Sequence, residues 1–173
     1  TENFWIQQGL LRNGITTSAD AEKFISHEKY ISQSGYDFPD MHKTIERLKT
    51  AIQNKERIGV WGDFDVDGQT STTLLVSGLQ QLGADVVYHI PVRAVESHGI
   101  KIPFLKEFLK EEISVLLTCD TGISEWDAVE FANRNGIDVL ISDHHTLPDT
   151  LPLAYSILNP QFLAAGHPLH NLA

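Results

Sequence analysis

The chain has 173 residues, the length of one domain with a small helical extension, and its 42% apolar content is enough for a buried core. No apolar run approaches the ~20 residues of a membrane span, and no basic segment followed by an apolar stretch marks secretion. The single cysteine, Cys119, has no partner for an internal disulfide, so a cytoplasmic address is expected. With 13 Lys and Arg against 23 Asp and Glu, the net charge of −10 argues against this chain forming a strong nucleic-acid clamp by itself. Carboxylates gathered to hold divalent cations nevertheless count as negative in that sum until the ions bind.

Residues 1–56 read as a polar, helical extension. In "TTSADAEKFISH", Thr17 or Ser18 is a helix cap, with Ala21, Phe24 and Ile25 on the apolar side. A loop, "SQSGYDF", follows. In "PDMHKTIERLKTAIQNKER", Asp40 offers an N-cap and Met41, Ile45, Leu48 and Ile52 keep helical spacing along one stripe.

From Arg57 the pattern changes to short apolar runs alternating with helices. "IGVW" (Ile58–Trp61) reads as a strand, Gln69–Leu82 as a helix stopped by Gly83, and Val86–Ile90 as a second strand. A helix starts near Pro103, a favourable first-turn position. Ser114–Thr118 is a third strand, Ser124–Gly136 a helix capped by Ser124, Asp138–Ser142 a fourth strand and Tyr155–Asn159 a fifth. The expected fold class is α/β: a parallel sheet of about five strands with helices on both faces, over residues 57–173.

Ligands of open α/β sheets gather beyond the carboxyl ends of the strands. Three of those ends carry acids or histidines here: "GDFDVDG" with Asp63, Asp65 and Asp67, "CDTGIS" with Asp120, and "DHH", Asp143–His144–His145. The loop after the second strand adds Arg93, Glu96 and His98. An EF-hand accounts for the first motif poorly. Asp63, Asp65, Asp67 and Gly68 match its first half, but the position of its bidentate glutamate is Leu74, and a strand precedes it rather than a helix. Carboxylates suit Mg²⁺ and Mn²⁺, and imidazole shifts the preference toward Mn²⁺ or a later metal. Aspartates from three strand ends suit two ions, one carboxylate bridging them. Two ions ~3.5–4 Å apart activate a water and stabilise the leaving oxygen of a phosphoester.

The motifs "DFDVDGQTST", "CDTGIS" and "SDHHTLP", in that order, resemble the DHH phosphoesterase superfamily and, within it, the RecJ family of single-strand-specific 5′→3′ DNA exonucleases of DNA repair and recombination. "GLLRNGITTSADAEKFI", "YDFPDMHKTIERLKTAI" and "ILNPQ" extend the resemblance to nearly the whole chain. It implies that Asp65 and Asp67 bind metal, with Asp63 beside them as ligand or support. Asp120 bridges two Mn²⁺ or Mg²⁺ ions, and His144 is a ligand. His145 contacts the scissile phosphate and Asp143 orients the histidines. Arg93 and His98 lie in a loop that faces the substrate. Asp67, Asp120, His144 and His145 are thereby the expected catalytic set.

Two departures stand out. The family's glycine–tyrosine–glycine element in that loop reads "SHGI" here, and the family continues past "HPLHNLA" with a further metal-binding aspartate and a second domain. The expected substrate is single-stranded DNA, held with the help of that further region. The alternative within the superfamily is a phosphodiesterase for short oligonucleotides or cyclic dinucleotides. A non-catalytic binding module leaves the intact acids unexplained. A phosphatase using Asp63 and Asp65 as nucleophile and acid/base leaves the DHH sequence unexplained.

Overall fold

The structure, a computed structural model, describes residues 3–29 and 33–172. It divides into two compact units, Thr1–Ser34 and Gly35–Ala173. In the first, α1 (Phe4–Arg12) is capped by Asn3, whose side chain accepts from the amides of Trp5 and Ile6. Helix α2 (Ser18–Ile25) is capped by Thr17, with Asp20 N 3.1 Å from its hydroxyl. Ser32, at the start of the expected loop, lies outside the described residues; a 3₁₀ turn occupies Gly35–Asp37.

The second unit is built on a five-stranded, fully parallel sheet: β1 (Ile58–Trp61), β2 (Val86–His89), β3 (Val115–Cys119), β4 (Asp138–Ser142) and β5 (Ser156–Leu158), in the order β2-β1-β3-β4-β5. Alternation along the strands feeds two cores. Ile58, Val60, Val115, Leu117 and Leu140 join Ala51 of α3 (Met41–Asn54) and Leu79 of α4 (Val66–Gln81). On the other face, Trp61, Leu116, Val139 and Ile141 meet α6 (Ile102–Phe108) and α7 (Trp126–Arg134). Gly59 faces this second core, where an added Cβ would lie 2.7 Å from both Phe108 and Ile113. Helices thus cover both faces, as the pattern of the sequence requires.

Helix α3 belongs to the packing unit of the sheet. Asp40 is its N-cap residue but makes no side-chain cap; its Oδ2 accepts from Ile157 N of β5 at 2.9 Å instead. The Thr44 hydroxyl donates to that of Ser156 at 2.8 Å, and Arg47 pairs with Asp138 of β4 and Glu56.

Three local expectations are corrected. Helix α4 begins at Val66, not Gln69, because the Asp65 side chain caps it by accepting from Gly68 N at 3.0 Å. Helix α7 begins at Trp126 without a side-chain cap, since Ser124 sits inside a turn closed by Glu125 N on Gly122 O at 3.1 Å. The loop after β2 contains a short helix, α5 (Arg93–Glu96).

Candidate metal centre

The chain runs from β1 to β2 on one side of the sheet and returns to β3 on the other side of β1. The crevice between the carboxyl ends of β1 and β3 is therefore the switch point where such sheets hold ligands. Asp63 and Asp65 leave β1 on one side of it. Asp120 leaves β3 on the other, its amide still bonded to Ser142 O at 3.0 Å. Asp143, His144 and His145 follow β4, the next strand.

Glycines allow the acids to converge. Gly68, in the first turn of α4, packs so closely under the acidic loop that a Cβ would stand 2.4 Å from Asp63 O and 2.5 Å from Asp63 N. It serves close approach in a helix, not the sharp turn of a calcium loop. Gly62 likewise abuts Thr72, where a Cβ would lie 2.0 Å from Oγ1. Asp120 itself has a φ of 61°, a left-handed conformation that Asp and Asn tolerate better than most residues.

Among the described residues two groups of potential ligand atoms result, each drawn within 4.8 Å: Asp63, Asp65 and Asp120, and Asp120, His144 and His145. Asp120 belongs to both. His144 Nε2 stands 2.9 Å from Asp120 Oδ1. That ion-pair contact apart, the buried Oδ1 atoms of Asp120 and Asp63 both lack a hydrogen-bond partner among the described residues. Burial, reinforced by the neighbouring Asp65 carboxylate, pushes Asp120 up to about 6, against the opposing pull of His144 and His145. Orphaned buried carboxylate oxygens that repel one another are the donor set a hard divalent cation satisfies, so the residues fit Mn²⁺ or Mg²⁺.

Asp143 is differently used. Its Oδ1 accepts from the His145 amide at 3.1 Å and lies 2.7 Å from His145 Nδ1, while its Oδ2 accepts from Ile123 N at 3.0 Å. Those bonds lock the imidazole and leave Nε2 as its free ring nitrogen. Burial lowers the pKa of His145, but its bond to Asp143 and the carboxylates of Asp143, Asp120 and Asp63 outweigh that and raise it. The backbone of the two histidines is braced from beyond β5: Asn159 Nδ2 donates to His145 O at 2.9 Å and Gln161 Nε2 to His144 O at 3.4 Å.

Asp67, in the first turn of α4, falls in neither group, although it lines the same cleft of about 480 Å³ as Asp120 and His144. The cleft continues onto apolar side chains, among them Leu74, Leu75 and Leu158. Arg93 lies with its guanidinium 4.9 Å over the ring of Phe64, inside the acidic motif, and His98 is exposed on the same loop. Sequence reasoning missed the bracing by Asn159 and Gln161, though "ILNPQ" marked the place, and gave Glu96 no role.

A doubly wound α/β sheet with carboxylates and imidazoles gathered at its switch point defines the class, and the chain belongs to the DHH family: the model of the DHH family N-terminal domain matches residues 57–166. Its relatives include the single-stranded-DNA-specific exonuclease RecJ of Haemophilus influenzae, 40% identical over 134 residues (77% of this chain, 23% of that protein). The RecJ of Bacillus subtilis is 31% identical over 164 residues, covering 95% of this chain and 21% of that protein. Among solved structures, exonuclease RecJ bound to manganese superposes with a TM-score of 0.72 at 33% identity, over 78% of this chain and 34% of that one. The chain spans less than a quarter of the length of these curated relatives. No helix among the described residues is long and apolar enough to cross a membrane.

Proposed function

We propose that this chain forms the metal-binding part of a cytoplasmic exonuclease that hydrolyses single-stranded DNA from the 5′ end. The observation that carries the reading is the pair of ligand groups joined at Asp120, with a buried oxygen of Asp63 left without a donor among the described residues and one of Asp120 facing only His144. The likeness to RecJ proteins of two bacteria, and to a RecJ structure bound to manganese, supports the choice of substrate and metal.

Two divalent cations, when bound, would supply Lewis acidity to activate a water and to neutralise charge on the phosphate and leaving oxygen. Asp63, Asp65 and Asp120 would hold one, and Asp120 and His144 the other. Asp67, in the first turn of α4 and on the cleft wall, would add a further carboxylate from outside both groups. Asp143 holds His145 by its Nδ1, so the other ring nitrogen, Nε2, would be the donor to a phosphate oxygen when protonated. Arg93, pinned over Phe64, and the exposed His98 offer further contacts to the strand.

The test is hydrolysis by the protein at its natural full length, in Mn²⁺ and in chelator. A 5′-labelled single strand, a dinucleotide and a cyclic dinucleotide are compared. Metal-dependent loss of nucleotides from the 5′ end of the long strand is expected. Turnover confined to the two small substrates would replace this reading with a small-molecule phosphodiesterase.

A further inference from the structure

The loop after β2 is held by a buried carboxylate that the metal centre does not use. Glu96 ends α5 and is only 7% exposed. Both of its oxygens are engaged: Oε2 is 2.8 Å from His89 Nε2, and Oε1 accepts from Val92 N, the N-cap residue of the same helix, at 3.0 Å. His89 ends β2 and packs on Trp61 of β1 with ring centroids 4.1 Å apart. Its carbonyl accepts from Gly62 N at 3.0 Å, directly before the acidic motif. An unbroken series of contacts therefore runs from the root of "GDFDVDG" through His89 to Glu96.

A four-residue helix has little stability of its own, and the backbone next to it is strained. Ser97 has φ 65° and ψ −148°, a region that strongly favours glycine. Gly99 follows at φ 75°, so close to Glu125 that a Cβ would stand 2.1 Å from its Oε1. Such a turn persists only where its surroundings dictate it, and Glu96 is the group that does so from inside. What the turn presents is Arg93, stacked over Phe64, the residue between Asp63 and Asp65 of the acidic motif.

We propose that Glu96 is a positioning residue for the substrate strand: by bonding His89 and the Val92 amide at once, it fixes α5 so that Arg93 stands beside the metal centre, over Phe64. A carboxylate is suited to this because one planar group receives two donors from different elements. The inference rests on the proposed action on single-stranded DNA, and specifically on Arg93 touching the phosphodiester chain.

The experiment is a double-mutant cycle in the full-length protein with Glu96→Ala and Arg93→Ala. Affinity for a fluorescent single-stranded oligonucleotide is read by anisotropy without catalysis, and KM and kcat are read in Mn²⁺. Glu96→Ala is expected to weaken strand affinity about tenfold and raise KM in step, with a much smaller change in kcat. It should add less than about twofold in the Arg93→Ala background. Glu96→Gln, which keeps an acceptor for Val92 N and gains a donor for His89, should restore most of the affinity. Should Glu96→Ala fail to fold, His89→Phe, which keeps a ring on Trp61 and removes one Glu96 bond, takes its place in the cycle. Equal losses from Glu96→Ala with and without Arg93, or a loss confined to thermal stability, would overturn the proposal. A wild-type protein that binds and cleaves no single strand would overturn the functional reading instead.

Discussion

Asp120 is the one side chain common to both ligand groups, and its protonation links metal binding to pH. Its pKa is raised to about 6 in the metal-free fold. The native state then holds more protons than the unfolded chain between about pH 4 and 6, so this group's contribution to stability is present below that window and lost as pH rises through it. Asp120→Asn should therefore make the metal-free protein more stable at pH 7, by roughly 1–2 kcal/mol, with little backbone cost because Asn tolerates the same left-handed φ. Mn²⁺ should raise the melting temperature of the wild type by mass action, and Asp120→Asn should remove most of that rise. Thermal scans with and without Mn²⁺ at pH 5 and pH 7 read both effects; equal metal shifts in the two proteins would exclude Asp120 as a principal ligand. The histidines separate by a different measurement. His145, held through Nδ1, is assigned to the phosphate, so His145→Ala should lower single-turnover rates roughly a hundredfold or more and leave calorimetric Mn²⁺ affinity nearly intact. His144→Ala should do the reverse to affinity; exchanged phenotypes would exchange the roles.

At the level of elements, the start of α4 shapes the centre. The run Gln69–Leu82 was legible as a helix from its apolar spacing, but its first turn was not, because Val66, Asp67 and Gly68 lie within a motif whose acids read as a loop. Asp65 does two things there: it caps the helix through Gly68 N and stands in the cluster with Asp63 and Asp120. Gly68→Ala provides a test with an unambiguous sign. In an ordinary helix that change stabilises by about 1 kcal/mol. Here the new methyl meets the Asp63 backbone, so a loss of roughly 2–4 kcal/mol in denaturant unfolding is expected, together with weakened Mn²⁺ binding. A neutral or stabilising result would mean that the acidic loop yields freely and that its position is not set by α4. The Arg47 pairing gives α3 a pH dependence of its own. The Glu56 carboxyl lies below its usual range, through its Asn54 hydrogen bond and its Arg47 partner against the opposing effect of burial. That contribution is present at neutral pH and lost as pH falls through the depressed value, and Glu56→Gln should flatten the acid limb of a stability–pH curve.

For the whole molecule, the strand ends that carry chemistry were legible because acids and histidines fell directly after apolar runs. Their arrangement was not. Nothing local in the sequence states that β1 and β3 are neighbours, or that β3 and β4 place Asp120 against His144; only the order β2-β1-β3-β4-β5 does. The same holds for α3, whose stripe read as packing in an extension but whose Asp40, Thr44 and Arg47 tie it to β4 and β5. The net charge of −10 also acquires a place. Part of it is concentrated at the switch point, where it repels a phosphate until cations bind. For the proposed chemistry that site must hold two ions joined by Asp120. Crystals soaked in Mn²⁺ and measured by anomalous diffraction test this most directly. The expected result is two peaks ~3.5–4 Å apart, both coordinated by Asp120, one also by Asp63 or Asp65 and the other by His144. A single peak, or peaks that do not share Asp120, would contradict it.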